Sequence, residues 1–298
     1  MTDFDAPHRA VLLAEVVHWL DPPPGARLLD LTVGAGGHAR ALLDKAGPAA
    51  RLWGVDRDLE ILAVARARLT GLPVELLHGD FGDVERLRAQ LPAERFDSVL
   101  LDLGVSSLQL DAPQRGFSFR STGPLDMRMD QSRGITASEF LQAVSCEELT
   151  RLLADVGEER FAPRVARAID DARRTGPITT TTQLAEIVRA ALRGRPSGGI
   201  DPATRTFQAL RIAVNRELVA LDMFLARFKL FLRPQGRLAI IAFHSLEDRR
   251  VKQCFREQAH EGDATLVTPS AIRPSASEVA QNPRARSARL RVIALHGD

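Results

Sequence analysis

A glycine-rich turn between a predicted strand and a predicted helix is the first candidate for chemistry in this chain. The apolar run that begins at Leu28 ends in an acid, Asp30, and a turn with three glycines follows before a helical pattern over Ala39–Lys45. Such a unit lets the backbone approach a nucleotide-like ligand closely. The spacing is not Gly-x-Gly-x-x-Gly, and a carboxylate beside the turn would repel a phosphate but suit an ammonium group. The glycines are Gly34, Gly36 and Gly37.

A second acid closes the next apolar run. Asp56 ends the run that begins at Arg51, and it lies about 20 residues past the glycines, where an acid typically holds ribose hydroxyls. S-adenosylmethionine has a ribose, an ammonium group and a sulfonium, and it has no phosphate. The acids and the turn therefore favour this methyl donor over a dinucleotide. An ordinary strand–turn–helix unit capped by an acid is the alternative that the turn leaves open.

A third acid, Asp102, lies at the end of the apolar run Ser98–Leu103. Ligands of open parallel sheets bind outside the carboxyl ends of the strands, so three acids at three strand ends predict one ligand-binding edge. Phe81 follows the third strand and would either stack on an adenine ring or belong to the core. His244 follows the fifth strand, where it is a candidate general base or substrate contact, or a structural residue.

Aromatic and arginine side chains alternate in a polar loop after the fourth strand. Arg115–Arg120 has the sequence Arg-Gly-Phe-Ser-Phe-Arg, so Phe117 and Phe119 are able to point to one side. The nearby segment Gly123–Asp130 adds further arginine and methionine. Aromatic rings with interleaved arginines are suited to gripping unstacked RNA bases. A loop that packs its own small core is the alternative.

Two further segments carry groups suited to RNA. Pro202–Asn215 is a predicted helix that places Gln208, Arg211 and Asn215 on one face by three- and four-residue spacing. Asn282–Arg291 contains four arginines and is a candidate phosphate contact or a solvated tail. The predicted RNA-binding residues are Arg115, Phe117, Phe119, Arg120, Arg128, Arg205, Arg211, Asn215, Arg284 and Arg286.

The composition is that of a globular protein. The chain has 298 residues, of which 45% are hydrophobic and 26% charged, and its formal net charge is +2. No stretch approaches the ~20 apolar residues of a membrane span, and Met1–Asp5 lacks the basic region and apolar core of a signal peptide. Cys146 and Cys254 are far apart, which excludes a cysteine-based zinc site and favours the reducing cytoplasm. No metal site is predicted.

Short apolar runs alternate with helical patterns up to about residue 110, which predicts a parallel sheet with helices on its faces. Residues 111–135 are predicted as loop, and several helices follow. The α/β pattern returns with a long amphipathic helix over Arg216–Leu232. We therefore predict an α/β domain of residues 1–110 and 212–298, with an all-helical domain inserted at 111–211. The predicted strands are Leu28–Leu31, Leu52–Asp56, Val74–Leu77, Ser98–Leu103, Arg237–Phe243 and Arg289–Leu295.

Seven segments, taken in order, resemble the MraW family of bacterial 16S rRNA (cytosine-N4) methyltransferases. The similarity runs from about His8 to Arg291, which is almost the whole chain. Seven long motifs in one order are far more specific than a glycine turn alone. The segments are Asp30–His38, Leu101–Asp111, Arg115–Arg120, Gly123–Asp130, Pro202–Ile212, Phe243–Arg249 and Asn282–Arg291.

The resemblance implies S-adenosyl-L-methionine as the cofactor and one cytidine in the decoding centre (P site) of 16S rRNA as the methyl acceptor. It also implies a Rossmann-like class I methyltransferase sheet with an inserted helical domain. The protein would act in the cytoplasm on the small ribosomal subunit, not on DNA or a membrane, as a monomer or homodimer. Beside Asp30 and Gly34 of the turn itself, the donor contacts that the resemblance implies are Gly36, Gly37, His38, Asp56, Phe81, Asp102 and Gln109.

Three residues depart from the family pattern. Val33 and Leu108 are apolar replacements beside the donor site and leave the interpretation intact. Asp201 replaces a usual histidine, which puts in doubt a role for that side chain in binding RNA.

The implied reaction is direct transfer, in which the cytosine N4 attacks the sulfonium methyl group. This amine is a poor nucleophile because its lone pair is delocalised into the ring. Many amino-methyltransferases orient it with an Asp/Asn/Ser-Pro-Pro-aromatic motif, and this chain instead has Leu-Gly-Val after Asp102. Asp102 or a nearby backbone carbonyl would polarise N4, and Asp102 and His244 are the catalytic candidates. Phe117, Phe119, Phe243 or His244 would supply the missing base stacking. Two alternatives stay open: a methyltransferase that acts on another RNA, a small molecule or a protein, and a non-catalytic RNA-binding protein of ribosome assembly.

Overall fold

The chain forms two compact units, and the first contains a seven-stranded sheet. The computed structural model describes residues 10–194, 199 and 201–297, so the predictions for Met1–Asp5 and for the similarity at His8 lie outside the described residues. Unit 1 consists of Met1–Gly104 and Leu218–Asp298, and unit 2 of Val105–Glu217. The strands are β1 (Arg27–Asp30), β2 (Arg51–Asp56), β3 (Val74–His78), β4 (Phe96–Asp102), β5 (Leu232–Ala242), β6 (Ala264–Leu266) and β7 (Arg289–Leu295).

The order of the strands across the sheet is β3-β2-β1-β4-β5-β7-β6. Neighbours from β3 to β5 are parallel, whereas β7 is antiparallel to both β5 and β6. This confirms the predicted α/β, Rossmann-like sheet. The predicted bounds of the first four strands and of the last agree with the structure to within two residues. The sequence did not predict that β7 is antiparallel, because a short apolar run carries no information about the direction of a strand.

Helices cover both faces of the sheet in unit 1 and are the main regular structure of unit 2. The central strands are apolar at successive positions because both of their faces are buried. In β4, for example, Val99 and Leu101 belong to one buried cluster and Leu100 to the other. The helices are α1 (Leu13–Leu20), α2 (Gly37–Ala46), α3 (Leu59–Arg68), α4 (Val84–Gln90), α5 (Ser107–Asp111), α6 (Ala137–Ala143), α7 (Cys146–Asp155), α8 (Ala162–Thr175), α9 (Thr181–Ala191), α10 (Ala203–Val214), α11 (Glu217–Leu225), α12 (Ser245–His260) and α13 (Ala276–Gln281).

The predicted long helix over Arg216–Leu232 is wrong at its end. Helix α11 stops at Leu225, a short 3-10 turn covers Phe228–Leu230, and Leu232 already pairs with Phe96 in the sheet. The stretch is apolar on all sides, so its periodicity gives no signal for the end of the helix. The strand β5 also begins earlier than predicted, because it accommodates Pro234 and Gly236 at a register shift.

Unit 2 has its own hydrophobic core, and four of its helices, α5, α6, α7 and α9, begin at side-chain caps. Thr136 and Ser145 each form a capping box with a glutamate three residues later, Glu139 and Glu148. These boxes satisfy main-chain N–H groups that the first turn of a helix leaves unpaired. The predicted loop over 111–135 contains a single 3-10 turn, Pro113–Arg115, after α5 ends. The sequence did not predict α5, β6 or α13, which are too short to show a periodicity.

Among the described residues, no helix combines the length and the hydropathy that a bilayer crossing requires. Within the same part of the chain, no group of three or more His, Cys, Asp or Glu side chains is arranged to hold a metal ion. Cys146 and Cys254 are both free and only partly buried.

Gly82 offers a test of the packing of α11 against the turn that follows β3. A Cβ atom at this position would lie 2.6 Å from both Cα and Cβ of Ala220 in α11. We expect Gly82→Ala to lower the free energy of unfolding by about 3 kcal/mol, because a backbone, unlike a flexible side-chain end, cannot yield easily. Gly176→Ala is the matched control, since nothing lies within 4 Å of that Cβ position. Equal urea midpoints for the two variants would contradict the close approach.

Candidate functional site

Asp30, Asp56 and Asp102 end three adjacent strands of unit 1. Asp30 in β1 is in register with Leu100 of β4 on one side and with Gly54 of β2 on the other. The strands are parallel, so their carboxyl ends meet at one edge of the sheet. We refer to this edge, defined by the three aspartates, as the carboxyl edge.

Asp56 fixes the glycine turn through main-chain hydrogen bonds. Its Oδ2 accepts a hydrogen bond from the N–H of Gly34 at 3.0 Å, and its Oδ1 accepts one from the N–H of Asp58 at 3.0 Å. Burial raises the pKa of Asp56 to about 6, although both amides favour the ionised form. A carboxylate oxygen has two lone pairs, so each oxygen retains the capacity to accept a further hydrogen bond, such as one from a ribose hydroxyl.

The glycine turn has no room for side chains. Gly34 and Gly36 have φ values of +54° and +87°, in the left-handed region that favours glycine. A Cβ atom on Gly36 would also lie 2.9 Å from the side chain of Leu69. Helix α2 begins directly after Gly36 without a side-chain cap, which leaves its first N–H groups available to an acceptor.

Asp30, His38 and Asp102 form a cluster at the carboxyl edge, which we call the acid–histidine cluster; Asp30 and His38 are buried and Asp102 is partly exposed. His38 Nε2 lies 3.5 Å from Asp102 Oδ2, and the Asp30 Oδ1 accepts a hydrogen bond from the N–H of Thr32 at 3.1 Å. The Thr32 hydroxyl oxygen in turn accepts the N–H of Asp102 at 2.7 Å. Within the described part of the chain, Asp30 Oδ2, Asp102 Oδ1 and His38 Nδ1 are buried without a hydrogen-bond partner.

The cluster has unusual electrostatics because it is almost removed from water. Burial raises the pKa of Asp30 to about 7; His38 and the Thr32 amide oppose this rise, and the charges of Asp102 and Asp56 add to it. Burial lowers the pKa of His38, but the nearby carboxylate of Asp102 and the charge of Asp30 outweigh burial, so the net shift is upward. The cluster therefore holds more acids than its histidine can neutralise, and it is suited to a cationic ligand group.

Phe81 is buried beside the carboxyl edge. It is 8% exposed and packs edge-on against Phe224, with 6.1 Å between the ring centroids. The structure thus gives Phe81 a place in the core of unit 1. The remaining exposed part of its ring is all that an adenine would contact.

His244 is held by a carboxylate at the start of α12. Its Nε2 lies 3.1 Å from Oε1 of Glu247, a side chain that is only 2% exposed. The other oxygen of Glu247 accepts the N–H of Phe243 at 2.8 Å. Ile241, two residues before Phe243, is in register with Asp102, so His244 follows the strand next to the acid–histidine cluster.

Gln109, a predicted donor contact, lies in unit 2. Its side-chain oxygen accepts the N–H of Ser106 at 2.8 Å, and the Ser106 hydroxyl accepts the N–H of Gln109 at 3.2 Å. This capping box starts α5, and Gln109 is 4% exposed. Its role within unit 2 is therefore to begin a helix.

Two of the residues predicted to contact RNA, Arg115 and Asn215, instead form hydrogen bonds with the loop backbone of unit 2. Arg115 is 3% exposed and donates through Nη2 to the carbonyls of Arg128 and Met129, both at 3.0 Å. Asn215 donates to the carbonyl of Met127 at 2.7 Å and accepts the N–H of Met129 at 2.8 Å. Both side chains hold the same stretch of loop backbone in place.

The aromatic residues of the loop also pack within unit 2. Phe117 is 7% exposed and belongs to the core of this unit. Phe119 packs edge-on against Phe207 at 4.8 Å, and the guanidinium of Arg189 lies 5.4 Å from the Phe119 ring centroid. Asp201 Oδ2 lies 2.7 Å from Nη2 of Arg189. The aspartate that departs from the family pattern therefore forms an ion pair within unit 2.

Arginines 128 and 211 are paired with acids of unit 2. Arg128 makes a two-bond contact with Asp126, at 2.7 and 2.9 Å. Arg211 makes a similar contact with Glu217, with both bonds at 2.9 Å. The other predicted RNA contacts differ in exposure: Arg120, Arg284 and Arg286 are exposed, and Arg205 is half-buried.

Three residues of this region have a structural role that the sequence analysis did not predict. Thr32 lies between Asp30 and the glycines, and its hydroxyl links the ends of two strands. Glu247 follows His244 by three residues, a spacing typical of a capping box, and this spacing is a usable signal. Asp248 binds arginines more than 40 residues away, so no local pattern reveals that contact.

The family-level comparison covers nearly the whole chain. The model of the MraW methylase family matches residues 5–296. The ribosomal RNA small subunit methyltransferase H of Syntrophotalea carbinolica is 48% identical over 304 residues, which cover 96% of this chain and 97% of that protein. The protein of the same name from a Cyanothece species is 49% identical, with coverage of 96% and 93%.

A solved structure of a putative rRNA methylase from Clostridium thermocellum is similar at a TM-score of 0.48 and 10% identity, covering 97% of this chain and all of that one. Sequence identity to the two methyltransferases is near one half and extends over almost the full length of each protein. The chain therefore belongs to the MraW methylase family, and its cofactor is S-adenosyl-L-methionine.

Proposed function

We propose that this protein transfers a methyl group from S-adenosyl-L-methionine to the exocyclic N4 of a cytidine in the decoding centre of 16S rRNA. The names of the similar proteins support small-subunit rRNA as the substrate, and the seven family segments support the cytosine N4. The observation that carries the chemistry is the buried Asp102 Oδ1, which has no hydrogen-bond partner among the described residues and lies at the carboxyl edge.

The residues at the carboxyl edge fit the donor. Asp30 Oδ2 is buried and unpartnered within the described chain, so it would accept the ammonium group. Asp56 would accept the ribose hydroxyls, and the turn from Gly34 to Gly37 lets the backbone come close. His38 would keep its ring against Asp102 and fix the direction of that carboxylate. Bound S-adenosyl-L-methionine supplies a methyl group activated by its sulfonium.

Asp102 is the candidate group for orienting the acceptor amine. Its Oδ1 would accept a hydrogen bond from the N4–H, which aims the nitrogen lone pair and leaves a place for the proton that the product releases. Correct positioning is worth up to ~7–11 kcal/mol in principle, so no strong base is required. The pair of His244 and Glu247 is the second candidate acceptor for this proton.

Phe243 and His244 are the best-placed groups for stacking the target base. Both follow β5 directly, and the strand pairs with β4 up to Asp102. Phe117 and Phe119 are occupied by packing within unit 2. Arg120, Arg284 and Arg286 are exposed, so they are the first candidates for phosphate contacts.

The orienting role of Asp102 predicts a selective loss of chemistry. We expect Asp102→Ala, which removes the acceptor oxygens, to lower the single-turnover rate of methyl transfer to small ribosomal subunits by ~10²–10⁴-fold at saturating donor. Asp44→Ala, which removes an exposed carboxylate of α2, is the matched control and should keep the wild-type rate. Donor affinity, measured by calorimetry, shows whether the loss lies in chemistry or in binding.

The same experiment separates the alternatives. Subunits from a strain that lacks the activity are methylated, and their nucleosides are identified by mass spectrometry. An unchanged rate in Asp102→Ala with intact donor binding would remove Asp102 from the mechanism. Label in a nucleoside other than N4-methylcytidine would indicate another acceptor, and absence of label in wild type would favour a non-catalytic protein.

The buried Asp30 predicts a pH dependence of stability. Its pKa is raised from 3.8 to about 7, so the fold favours the neutral acid. The associated stability is complete below about pH 4 and is lost as the pH rises through about 7, by up to about 4 kcal/mol. Asp30→Asn should therefore flatten the fall in unfolding free energy between pH 5 and pH 8 without ligand. An equal change in unfolding free energy from pH 5 to pH 8 in the two proteins, measured by urea denaturation, would contradict this.

Donor binding should have the opposite pH dependence. An ammonium group beside Asp30 favours the carboxylate, so wild-type affinity for S-adenosyl-L-methionine should weaken as the pH falls below about 7. Asp30→Asn should bind weakly throughout, with a flatter profile. Calorimetry in two buffers of different ionisation enthalpy measures the proton released on binding, which the variant should lose.

A further inference from the structure

Asp248 joins two arginines of β7 in unit 1. The carboxylate is 9% exposed, and it accepts hydrogen bonds from Arg289 Nη1 at 2.8 Å and from Arg291 Nε and Nη2 at 2.7 and 3.3 Å. Burial raises the pKa of Asp248, but the hydrogen bonds from Arg291 and Arg289 lower it more, so it lies below its ordinary value. Asp248 is thus an anion that two cations share, which leaves one positive charge uncompensated.

The two arginines differ in how many of their N–H groups are left without a hydrogen bond to Asp248. Arg291 is 12% exposed and uses two of its groups on Asp248. Arg289 is 35% exposed and uses only Nη1, so its Nε and Nη2 carry no hydrogen bond within the described chain. A guanidinium with two adjacent free N–H groups matches the two oxygens of a phosphate. Arg289, not Arg291, is therefore able to take a ligand.

The position of Arg289 follows from the antiparallel direction of β7. Arg289 begins β7 and is in register with Ala242 at the end of β5, while Ile241 is in register with Asp102 in β4. Neighbouring strands are ~4.8 Å apart, so the backbone of Arg289 lies about 10 Å from that of Asp102, at the same edge. A single extruded nucleotide spans such a gap between its phosphate and the edge of its base.

Other arginines surround Arg289 without compensating acids. Ile272 exchanges both main-chain hydrogen bonds with Leu290, which brings the exposed Arg273 next to Arg289. Arg286 is exposed on the turn that precedes β7. Neither Arg273 nor Arg286 has an ion pair among the described residues, so both charges add to the attraction of a polyanion at this end of β7.

We propose that Arg289 binds a backbone phosphate at the nucleotide that is methylated, and that Asp248 is the positioning residue that aims its guanidinium. This rests on the proposed function, because it takes RNA as the substrate. Asp248 holds one side of the guanidinium, so the remaining two N–H groups face the phosphate without loss of side-chain freedom on binding. The contact fixes the strand of RNA while Asp102 orients the base.

Single substitutions test the phosphate contact. For Arg289→Ala we expect the half-saturating concentration of small subunits to rise ~10- to 100-fold, with the single-turnover rate at saturation within about threefold of wild type. The slope of log affinity against log salt for a small-subunit rRNA fragment should fall by about 1, as for one lost phosphate contact. Donor affinity should not change. Arg256→Ala, an exposed arginine late in α12, removes the same charge and should leave all four quantities unchanged.

Conservative variants test the orientation. Arg289→Lys keeps the charge, so the salt slope should stay near the wild-type value while the affinity still falls by about tenfold, because the two-bond geometry is lost. Asp248→Asn adds net positive charge, so attraction alone would tighten RNA binding. The positioning role predicts weaker binding, measured on protein whose melting temperature shows that it is folded.

The outcomes are distinguishable from failure of the proposed function. If wild type methylates no RNA, the proposed function fails before the variants are compared. If wild type is active but Arg289→Ala keeps the wild-type half-saturation and salt slope, the phosphate contact is overturned. If folded Asp248→Asn binds RNA as well as wild type or better, Asp248 has no positioning role.

Discussion

The withdrawal of three carboxylates from water at the ends of β1, β2 and β4, complete for Asp30 and partial for Asp56 and Asp102, is the constraint on which the rest of the structure depends. An ionised carboxylate that leaves water costs several kcal/mol unless it is paired. Asp56 meets this cost with main-chain amides, Asp102 with His38, and Asp30 with one amide and a raised pKa. The protein thus maintains a negative region that a ligand with a positive charge relieves. In the proposed complex, the ammonium group of the donor would gain affinity from the same unpaired carboxylates that lower the stability of the ligand-free fold.

Arginine side chains have two different tasks in this protein. In unit 2, Arg115, Arg128 and Arg211 donate to carbonyls or acids of their own unit and hold irregular backbone that lacks a sheet to pair with. In unit 1, Arg289 keeps free donors at an edge. An arginine that is fully hydrogen-bonded within the protein adds rigidity, and only one with spare donors adds affinity for a polyanion.

The sequence allowed the sheet, the glycine turn and the acids at strand ends to be predicted, because buried parallel strands show as apolar runs and their ends as polar residues. Phe117 and Arg115 show the limit. The alternation of aromatic and basic residues is the same whether they face RNA or pack inward, and only the tertiary structure shows that they are buried. The partners of Asp248 and His38 come from distant segments, so their pairing carries no local signal.

The insertion of unit 2 between β4 and β5 also has a consequence for biosynthesis. β4 pairs with β5 along most of its length, yet β5 emerges from the ribosome only after all of Val105–Glu217 has been made. At ~5–20 residues per second, one side of the apolar β4 waits for several seconds without its partner. A bare strand edge invites pairing with other chains. Independent folding of unit 2, which has its own core, would shorten the span that β5 must search and so limit aggregation of the nascent chain.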